Sequence, residues 1–159
     1  MSPPLEKDAS RGTMSEPLQQ FLTYRLACVQ ARLNRQARRI LSRNFGITLN
    51  EWRVLALVAD SKETSSRSLT EISTMDKGLV SRTIKALVKA GLLQGRANAA
   101  DHRQYLWSPT PKGRVLYEAA LPVMRKRQRY LRASLSQAQL HHLQSALSAL
   151  EAAAEKTDF

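Results

Sequence analysis

The sequence is poor in cysteine and contains no long apolar segment. One cysteine among 159 residues, Cys28, excludes an internal disulfide bond and any cysteine-based zinc cluster. No apolar run approaches the roughly 20 residues that span a bilayer, and the N-terminus lacks the apolar core of a signal peptide. We therefore expect a cytoplasmic protein without a membrane partner.

Acidic residues are also scarce. The chain has 13 Asp and Glu against 25 Lys and Arg, which gives a net charge of +12 at pH 7. A DNA duplex presents one negative charge about every 1.7 Å, and proteins bind it largely by releasing its counterions. The charge balance therefore favours nucleic acid over an acidic protein as the partner, without identifying the nucleic acid.

Histidine is too rare, and too poorly placed, for a metal site. Of the three histidines, His141 and His142 are neighbours on a predicted helix and diverge by about 100°, so they cannot chelate one ion well. No recognisable motif assembles a nucleophile, a base and an orienting group. The sequence predicts no metal site, no cofactor and no enzymatic activity.

The length and a hydrophobic fraction of 43% are typical of one globular domain. Residues 1–16 are small, polar and proline-containing, and we interpret them as a disordered tail. The remaining residues, 17–159, are predicted to form a single domain.

Helical periodicity and capping patterns divide the first half of this domain. Apolar residues recur at three and four from about residue 17 to 45, which predicts a long first helix whose arginines form a solvated face. Thr48 and Glu51 fit a capping box that opens a second helix, ending near Asp60. Ser68 and Glu71 fit another, which predicts a brief third helix after a polar loop.

The stretch DKGLVSRTIKALVKAG, from Asp76 to Gly91, predicts a short helix with one basic face. Asp76 can cap its first N–H groups, and Gly91 suits the left-handed residue that follows a helix end. A solvated face normally interleaves carboxylates with cations. The outer face here carries no carboxylate, which indicates a phosphate-rich partner. Its residues are Lys77, Gly78, Ser81, Arg82, Lys85 and Lys89.

Two strands and two further helices are predicted beyond this basic helix. The third helix and the basic helix, joined by a short turn, have the arrangement of a helix-turn-helix. Residues 91–96 and 103–108 favour a hairpin around the loop 97–102, and a basic-tipped hairpin after a helix-turn-helix is a wing. Thr110 as N-cap and Pro111 at the first helical position start a fifth helix, in which Pro122 should cause a bend or remove one backbone bond. Ser136 opens a sixth, with a narrow apolar seam of Leu140, Leu143, Leu147, Leu150 and Ala154.

In order and in residues, these segments resemble the MarR family of bacterial winged-helix regulators. The most specific parts are Met75 to Leu93, Asp101-His102-Arg103 as a D-x-R wing motif, and Thr110 to Gly113 as a T-x-x-G helix start. Pro109 departs from the family pattern, so we expect the second strand to end early. The resemblance implies a mainly α fold with a small β-hairpin wing, in which a winged helix-turn-helix head (48–110) adjoins dimerisation helices (17–46 and 111–159).

The family resemblance also implies a homodimer that binds a pseudo-palindromic operator on double-stranded DNA, usually as a repressor. By position, the basic helix would face the major groove, Arg103 would enter the minor groove beside His102, and Asp101 would hold Arg103 in place. Asp101 has an alternative role as a turn-forming residue of the hairpin. The residues implied in the major groove are Lys77, Gly78, Ser81, Arg82 and Lys85.

Family members often release DNA when a small aromatic or phenolic molecule, or an oxidant, acts on the dimer. A pocket for such an effector is expected where the first, second and fifth helices meet. Cys28 is a candidate oxidant sensor, and inert packing is its alternative. A winged helix used only for protein interaction remains a second alternative. The residues available for the pocket are Phe21, Tyr24, Arg25, Trp52 and Tyr117.

Overall fold

The computed structural model describes residues 17–61, 63–99, 101 and 104–157. The predicted tail, 1–16, lies outside these residues. The chain divides into two compact units, residues 1–36 and 37–159. The described part of the first unit consists of a 3₁₀ turn, Leu18–Gln20, and the beginning of helix α1 (Leu22–Phe45), whose last residues belong to the second unit.

The second unit holds the remaining elements and is mostly helical. Its three short strands form one antiparallel sheet in the order β1-β3-β2. This architecture confirms the predicted mainly α fold with a small β wing. The elements that follow α1 are α2 (Leu49–Asp60), β1 (Thr64–Ser65), α3 (Ser66–Ile72), α4 (Lys77–Lys89), β2 (Leu93–Ala97), β3 (Tyr105–Pro109), α5 (Pro111–Ala133) and α6 (Gln137–Ala154).

The core of the second unit lies between α2, α3 and α4. Leu55, Leu69 and Leu87, one from each of these helices, are fully buried. Trp52 of α2 stacks on Tyr117 of α5, with ring centroids 5.9 Å apart. The three leucines fix α4 against the other two helices and leave its opposite side to solvent, and the ring stack attaches α5 to α2.

The structure confirms the predicted caps of α2 and α4. The Thr48 hydroxyl accepts the Glu51 N–H, and the Glu51 carboxylate accepts the Thr48 N–H. The Asp76 carboxylate accepts a hydrogen bond from an N–H in the first turn of α4. Gly91 has φ of +70°, the left-handed conformation expected after the end of α4.

Helix α3 begins earlier than the sequence pattern indicated, so the predicted capping box at Ser68 and Glu71 is wrong. Ser65 leaves β1 in an extended conformation, and its hydroxyl accepts the Ser68 N–H at 3.1 Å. Ser68, the expected cap, is therefore already helical and lies about one turn after the observed cap. Glu71 pairs instead with Arg67, across one turn of the exposed face, at 2.9 Å.

Both strands of the wing are shifted from their predicted positions. Gly91 and Leu92 close the end of α4 through backbone hydrogen bonds, which delays β2 to Leu93. The expectation that Pro109 shortens the second strand is wrong, because β3 runs through Pro109, opposite Leu93. The pairing of β1 reaches β3 only at Leu106 and Trp107. Pro109 lies beyond it, at an edge position where a missing N–H is tolerated.

A dense junction joins the start of α5 to the turn between α4 and β2. The Thr110 hydroxyl donates to the Gly91 carbonyl at 2.6 Å, and the Thr110 N–H donates to the Leu92 carbonyl at 3.1 Å. Gly113 is buried against the same peptide. A Cβ at Gly113 would overlap the Leu92 carbonyl oxygen and lie 2.9 Å from its carbon. The T-x-x-G pattern therefore serves close packing of α5 on this turn.

Substitution of Gly113 should expose this constraint. Gly113→Ala places a methyl group on a backbone carbonyl that cannot rotate away, so we expect a loss of about 1–3 kcal/mol in the free energy of unfolding. Gly78→Ala is a matched control near the start of α4, where an added Cβ meets only side-chain ends. It should change stability by less than about 1 kcal/mol. Urea denaturation measures both, and equal stabilities for the two variants would contradict the proposed packing.

Candidate nucleic-acid interface

Helix α4 has the two faces predicted from its sequence. Its buried residues are Val80, Thr83, Ile84 and Leu87, which face the core. Ala86 of the same helix and Ala90 at its end are exposed. Every residue predicted on the basic face is exposed: Lys77, Gly78, Ser81, Arg82, Lys85 and Lys89.

The charge of this face is not neutralised from within the helix. No Asp or Glu occurs from Lys77 to Lys89. The adjacent carboxylate, Asp76, accepts the N–H of Leu79 at 2.8 Å and so serves as the cap of α4. An exposed helical surface of one sign is a favourable surface for phosphate groups.

Arg82 folds back along α4 over Gly78. A Cβ built on Gly78 would lie 3.3 Å from Arg82 Nη1 and 3.1 Å from Asp76 Oδ1. The guanidinium therefore lies above the first turn of the helix, near the capping carboxylate. Gly78, interpreted from the sequence as allowing close backbone approach to DNA, also makes room for this arginine.

The wing is attached to the loop after α2 by an ion pair that the sequence did not indicate. Arg96 of β2 donates to Glu63 through Nε at 2.8 Å and through Nη2 at 2.6 Å. The hydrogen bonding between these two side chains lowers the pKa of the Glu63 carboxyl and raises the pKa of Arg96. The partners are 33 residues apart, so no local pattern could have paired them.

A second attachment fixes the wing to α3. Trp107 Nε1 of β3 donates to Ser66 Oγ at 2.9 Å. Its ring covers Gly95 on β2, where a Cβ would lie only 2.5 Å from Trp107 Cζ3. Tyr105 stacks on the outer side of Trp107, with ring centroids 5.8 Å apart. The wing thus starts from a rigid aromatic base beside α4.

The wing residues predicted to bind DNA are only partly described. Asp101 is half-buried, its carbonyl accepts the Gln104 N–H, and its carboxylate accepts the Gln104 amide at 2.9 Å. These bonds support a turn-forming role. His102 and Arg103 lie outside the described residues, so the predicted contact of Asp101 with Arg103 stays a prediction.

The residues proposed for an effector pocket fall in different places. Trp52 and Tyr117 are buried against each other, and the Tyr117 hydroxyl donates to the Asp60 carboxylate. That hydrogen bond, followed by burial, raises the pKa of Tyr117. Phe21, Tyr24 and Arg25 belong to the first unit, where they are exposed. Trp52 and Tyr117 therefore contribute to the core of the second unit, and the ligand role of all five stays a prediction.

A cavity of about 460 Å³ does lie where the end of α1, α2 and α5 meet. Its walls are mostly apolar, with one carboxylate and one ammonium group. None of the five predicted residues lines it, and Trp52 and Tyr117 pack their rings against each other instead. The lining residues are Phe45, Gly46, Ile47, Glu51, Ala90, Leu92, Lys112, Val115, Leu116 and Ala119.

The other candidate sites have little support. Cys28 is half-buried on α1, and its sensing role stays a prediction. His141 and His142 are exposed side by side on α6. Within the described ranges, no three His, Cys, Asp or Glu side chains form a group that could hold a metal ion. None of the helices in the same ranges is long and apolar enough to cross a membrane.

Helix α3, the turn before α4, the exposed cationic face of α4 and the hairpin after it define a winged helix-turn-helix protein. Residues 45–104 match the MarR family. The winged-helix region is similar to that family, as the sequence motifs predicted, and the described elements have the fold of solved MarR-family transcriptional regulators. No curated protein sequence matches the chain.

Solved structures extend the likeness beyond the winged helix. The MarR/EmrR family transcriptional regulator from Acinetobacter sp. ADP1 is 24% identical, with a TM-score of 0.77, over 85% of this chain and 95% of that one. MepR of S. aureus, solved in a complex with DNA, is 17% identical with a TM-score of 0.77, over 84% and 97%. BpsR of Bordetella bronchiseptica, whose DNA binding is regulated by 6-hydroxynicotinic acid, is 20% identical with a TM-score of 0.74, over 90% and 99%.

The tie between Glu63 and Arg96 generates a pH prediction. The pKa of the Glu63 carboxyl is lower in the folded protein than its ordinary value of about 4.3. The ion pair therefore stabilises the wing at pH values above about 4.3, and this stabilisation is lost as the pH falls below about 4.3 through the folded-state pKa. Glu63→Gln should lower the protection of the β2 amides against hydrogen exchange at pH 7. In this variant, the protection should no longer show the further decrease in acid that the wild type shows. Glu71→Gln, which breaks the exposed pair with Arg67, is the control. If both variants protect β2 equally at pH 7, Glu63 does not hold the wing.

Proposed function

We propose that this protein is a homodimeric, sequence-specific DNA-binding regulator that represses transcription and is released by a small aromatic or phenolic effector. The observation that carries the proposal is the exposed face of α4, which presents four cations and no carboxylate. The rigid wing beside it supplies a second place for DNA contact. The likeness to MepR, which was solved with DNA, supports the same use of the fold here.

The α4 residues can make two kinds of contact. Arginine and lysine reach guanine edges or phosphates, and a serine hydroxyl donates or accepts, so Arg82, with Ser81 beside it, is the proposed reader of base edges, and Lys85 would contact a base or a phosphate. Lys77 and Gly78, at the start of the helix, would approach the backbone. On the wing, Arg103 would enter a narrow minor groove, with His102 and Asp101 beside it.

The proposed dimer is supported by apolar side chains that remain exposed on the helices outside the winged region. On α6, Leu143 and Leu147 are 44% and 41% exposed. On α1, taken by itself, Leu22 and Val29 are also exposed. A two-fold symmetric partner would cover such strips. The two α4 helices would then read half-sites roughly 34 Å apart.

An effector is supported by the cavity between the end of α1, α2 and α5. Its volume of about 460 Å³ lies in the range of sites for small ligands. Lys112 at its edge could pair with a carboxylate or phenolate. BpsR offers a parallel, since its DNA binding is regulated by an aromatic acid.

Single substitutions on α4 should separate base contacts from phosphate contacts. Arg82 is the proposed base reader, so Arg82→Ala should relax the preference at one operator position and cost about 1–3 kcal/mol of binding free energy there. If Lys85 contacts phosphate, Lys85→Ala should weaken binding to all duplexes and lower the salt slope by about one. Selection of duplexes from a random pool identifies the operator, and anisotropy titrations then compare operator and random DNA. Lys156→Ala, beyond the end of α6, controls for the loss of one charge. A wild-type protein that selects no sequence would contradict the proposed function.

Charged substitutions on α6 test the dimer. Leu147→Glu places an unpaired carboxylate within the proposed apolar interface, so light scattering at micromolar concentration should show the mass of one chain. Ser145→Glu, about 200° away from Leu143 on the same helix, should leave the dimer intact. A folded wild-type protein that scatters as a monomer would overturn the proposed assembly.

A further inference from the structure

Most of the net positive charge lies outside the winged helix. Residues 48–110 hold nine Lys and Arg against six Asp and Glu. Residues 17–47 contain six arginines and no carboxylate, and residues 119–150 contain five Lys and Arg and no carboxylate. A helix surface that is merely solvated interleaves the two signs. The excess charge is therefore concentrated on helices that carry no part of the DNA-reading face of α4.

In the second half of α5, four cations form an exposed group, here called the basic row: Arg125, Lys126, Arg129 and Arg132. Three of them are spaced at i, i+4 and i+7 and so lie on one side of the helix. Arg127 differs, because it is half-buried and burial lowers its pKa. The nearest preceding carboxylate, Glu118, lies about 10 Å along the axis from Arg125.

The basic row has no ion-pair partner in the described part of the chain, although Arg67 and Arg96 each have one. Burial of several guanidinium groups without carboxylates in a two-fold interface would leave uncompensated charges, which is strongly destabilising. The row must therefore face solvent or an anion. Its arginines suit phosphate, which a guanidinium binds through two parallel hydrogen bonds.

The basic row is well separated from α4. Helix α5 begins beside the end of α4, where Lys112 Nζ donates to the Ala90 carbonyl at 2.8 Å. From Lys112, Arg125 is about 20 Å and Arg132 about 30 Å further along the helix. The basic row and the cationic face of α4 are therefore two separate surfaces, on helices that meet where α4 ends and α5 begins.

We propose that the basic row binds the phosphate backbone of a second DNA segment, distinct from the duplex on α4. The row extends about 10 Å from Arg125 to Arg132, and one DNA strand presents about three charges over that length. Because the row would contact the phosphate backbone, which is the same at every base pair, its binding is independent of sequence. A dimer would carry two such rows and could hold two duplexes at once.

A bridging assay tests this directly. One random-sequence duplex is immobilised on beads, the full-length protein is added, and capture of a second, fluorescent duplex is measured. The wild type should capture it. A variant with glutamine in place of Arg125, Lys126, Arg129 and Arg132 should capture at least ten-fold less of the fluorescent duplex than the wild type. Its salt slope on random DNA should fall by up to about 3.6, at roughly 0.9 for each phosphate that the variant no longer neutralises.

Two further variants separate this inference from the proposed function. Substitution of the three arginines of the row by lysine keeps the charge and should keep most of the capture. Arg82→Ala combined with Lys85→Ala removes reading by α4, and should abolish operator preference while random duplex is still retained through the row. The glutamine variant should do the reverse, with operator preference preserved.

Three outcomes would overturn the proposal. The first is capture of the second duplex by the glutamine variant at the wild-type level. The second is dissociation of the glutamine variant into monomers by light scattering, which would show that the row pairs with carboxylates of a second copy. The third is binding of the row to vesicles containing phosphatidylglycerol, with no wild-type capture of a second duplex.

Discussion

The close contact of α5 with the Leu92 peptide is the constraint on which the rest of the winged helix depends. The turn after α4, the start of β2 and the first turn of α5 meet within a few ångströms, and only a glycine at position 113 fits. Since Thr110 bonds both Gly91 and Leu92, the end of α4 cannot move without α5. The orientation of the cationic face is therefore determined at the end of α4, away from its middle.

The wing also depends on a close contact at a glycine. Gly95 allows the Trp107 ring to lie flat on β2, and Ser66 holds the indole nitrogen. The Glu63 ion pair adds a third fixed point on the other side of the sheet, where Arg96 and Leu106 are register partners. The hairpin is thus held by α3, by the loop after α2 and by its own pairing, so that flexibility at its base is restricted.

Local chemistry in the sequence was sufficient for the helices and for the faces of α4. The caps at Thr48, Asp76, Thr110 and Ser136 each involve residues three apart, and such short-range patterns can be recognised without a fold. The strand β1 was missed because two residues carry no periodicity. The start of α3 was misplaced because Ser65 and Ser68 offer equivalent hydroxyls, and only the extended strand conformation before Ser66 decides between them.

Long-range contacts were beyond sequence reasoning. The Glu63 pair, the Trp107 bond and the clash that requires Gly113 join residues distant along the chain, so their partners depend on the completed fold. The aromatic residues proposed for a pocket illustrate the opposite error. Trp52 and Tyr117 were grouped correctly in space, but their rings stack on each other and leave the nearby cavity to smaller aliphatic side chains.

The position of Arg82 over Gly78 changes what recognition by this side chain would require. To reach a base edge, the guanidinium must first leave the neighbourhood of the capping carboxylate of Asp76. Base recognition would then require a change of side-chain conformation, and the free energy of that change would be subtracted from the affinity. Selectivity would depend on the position of Arg82 in the free protein as well as on the strength of its contact with DNA.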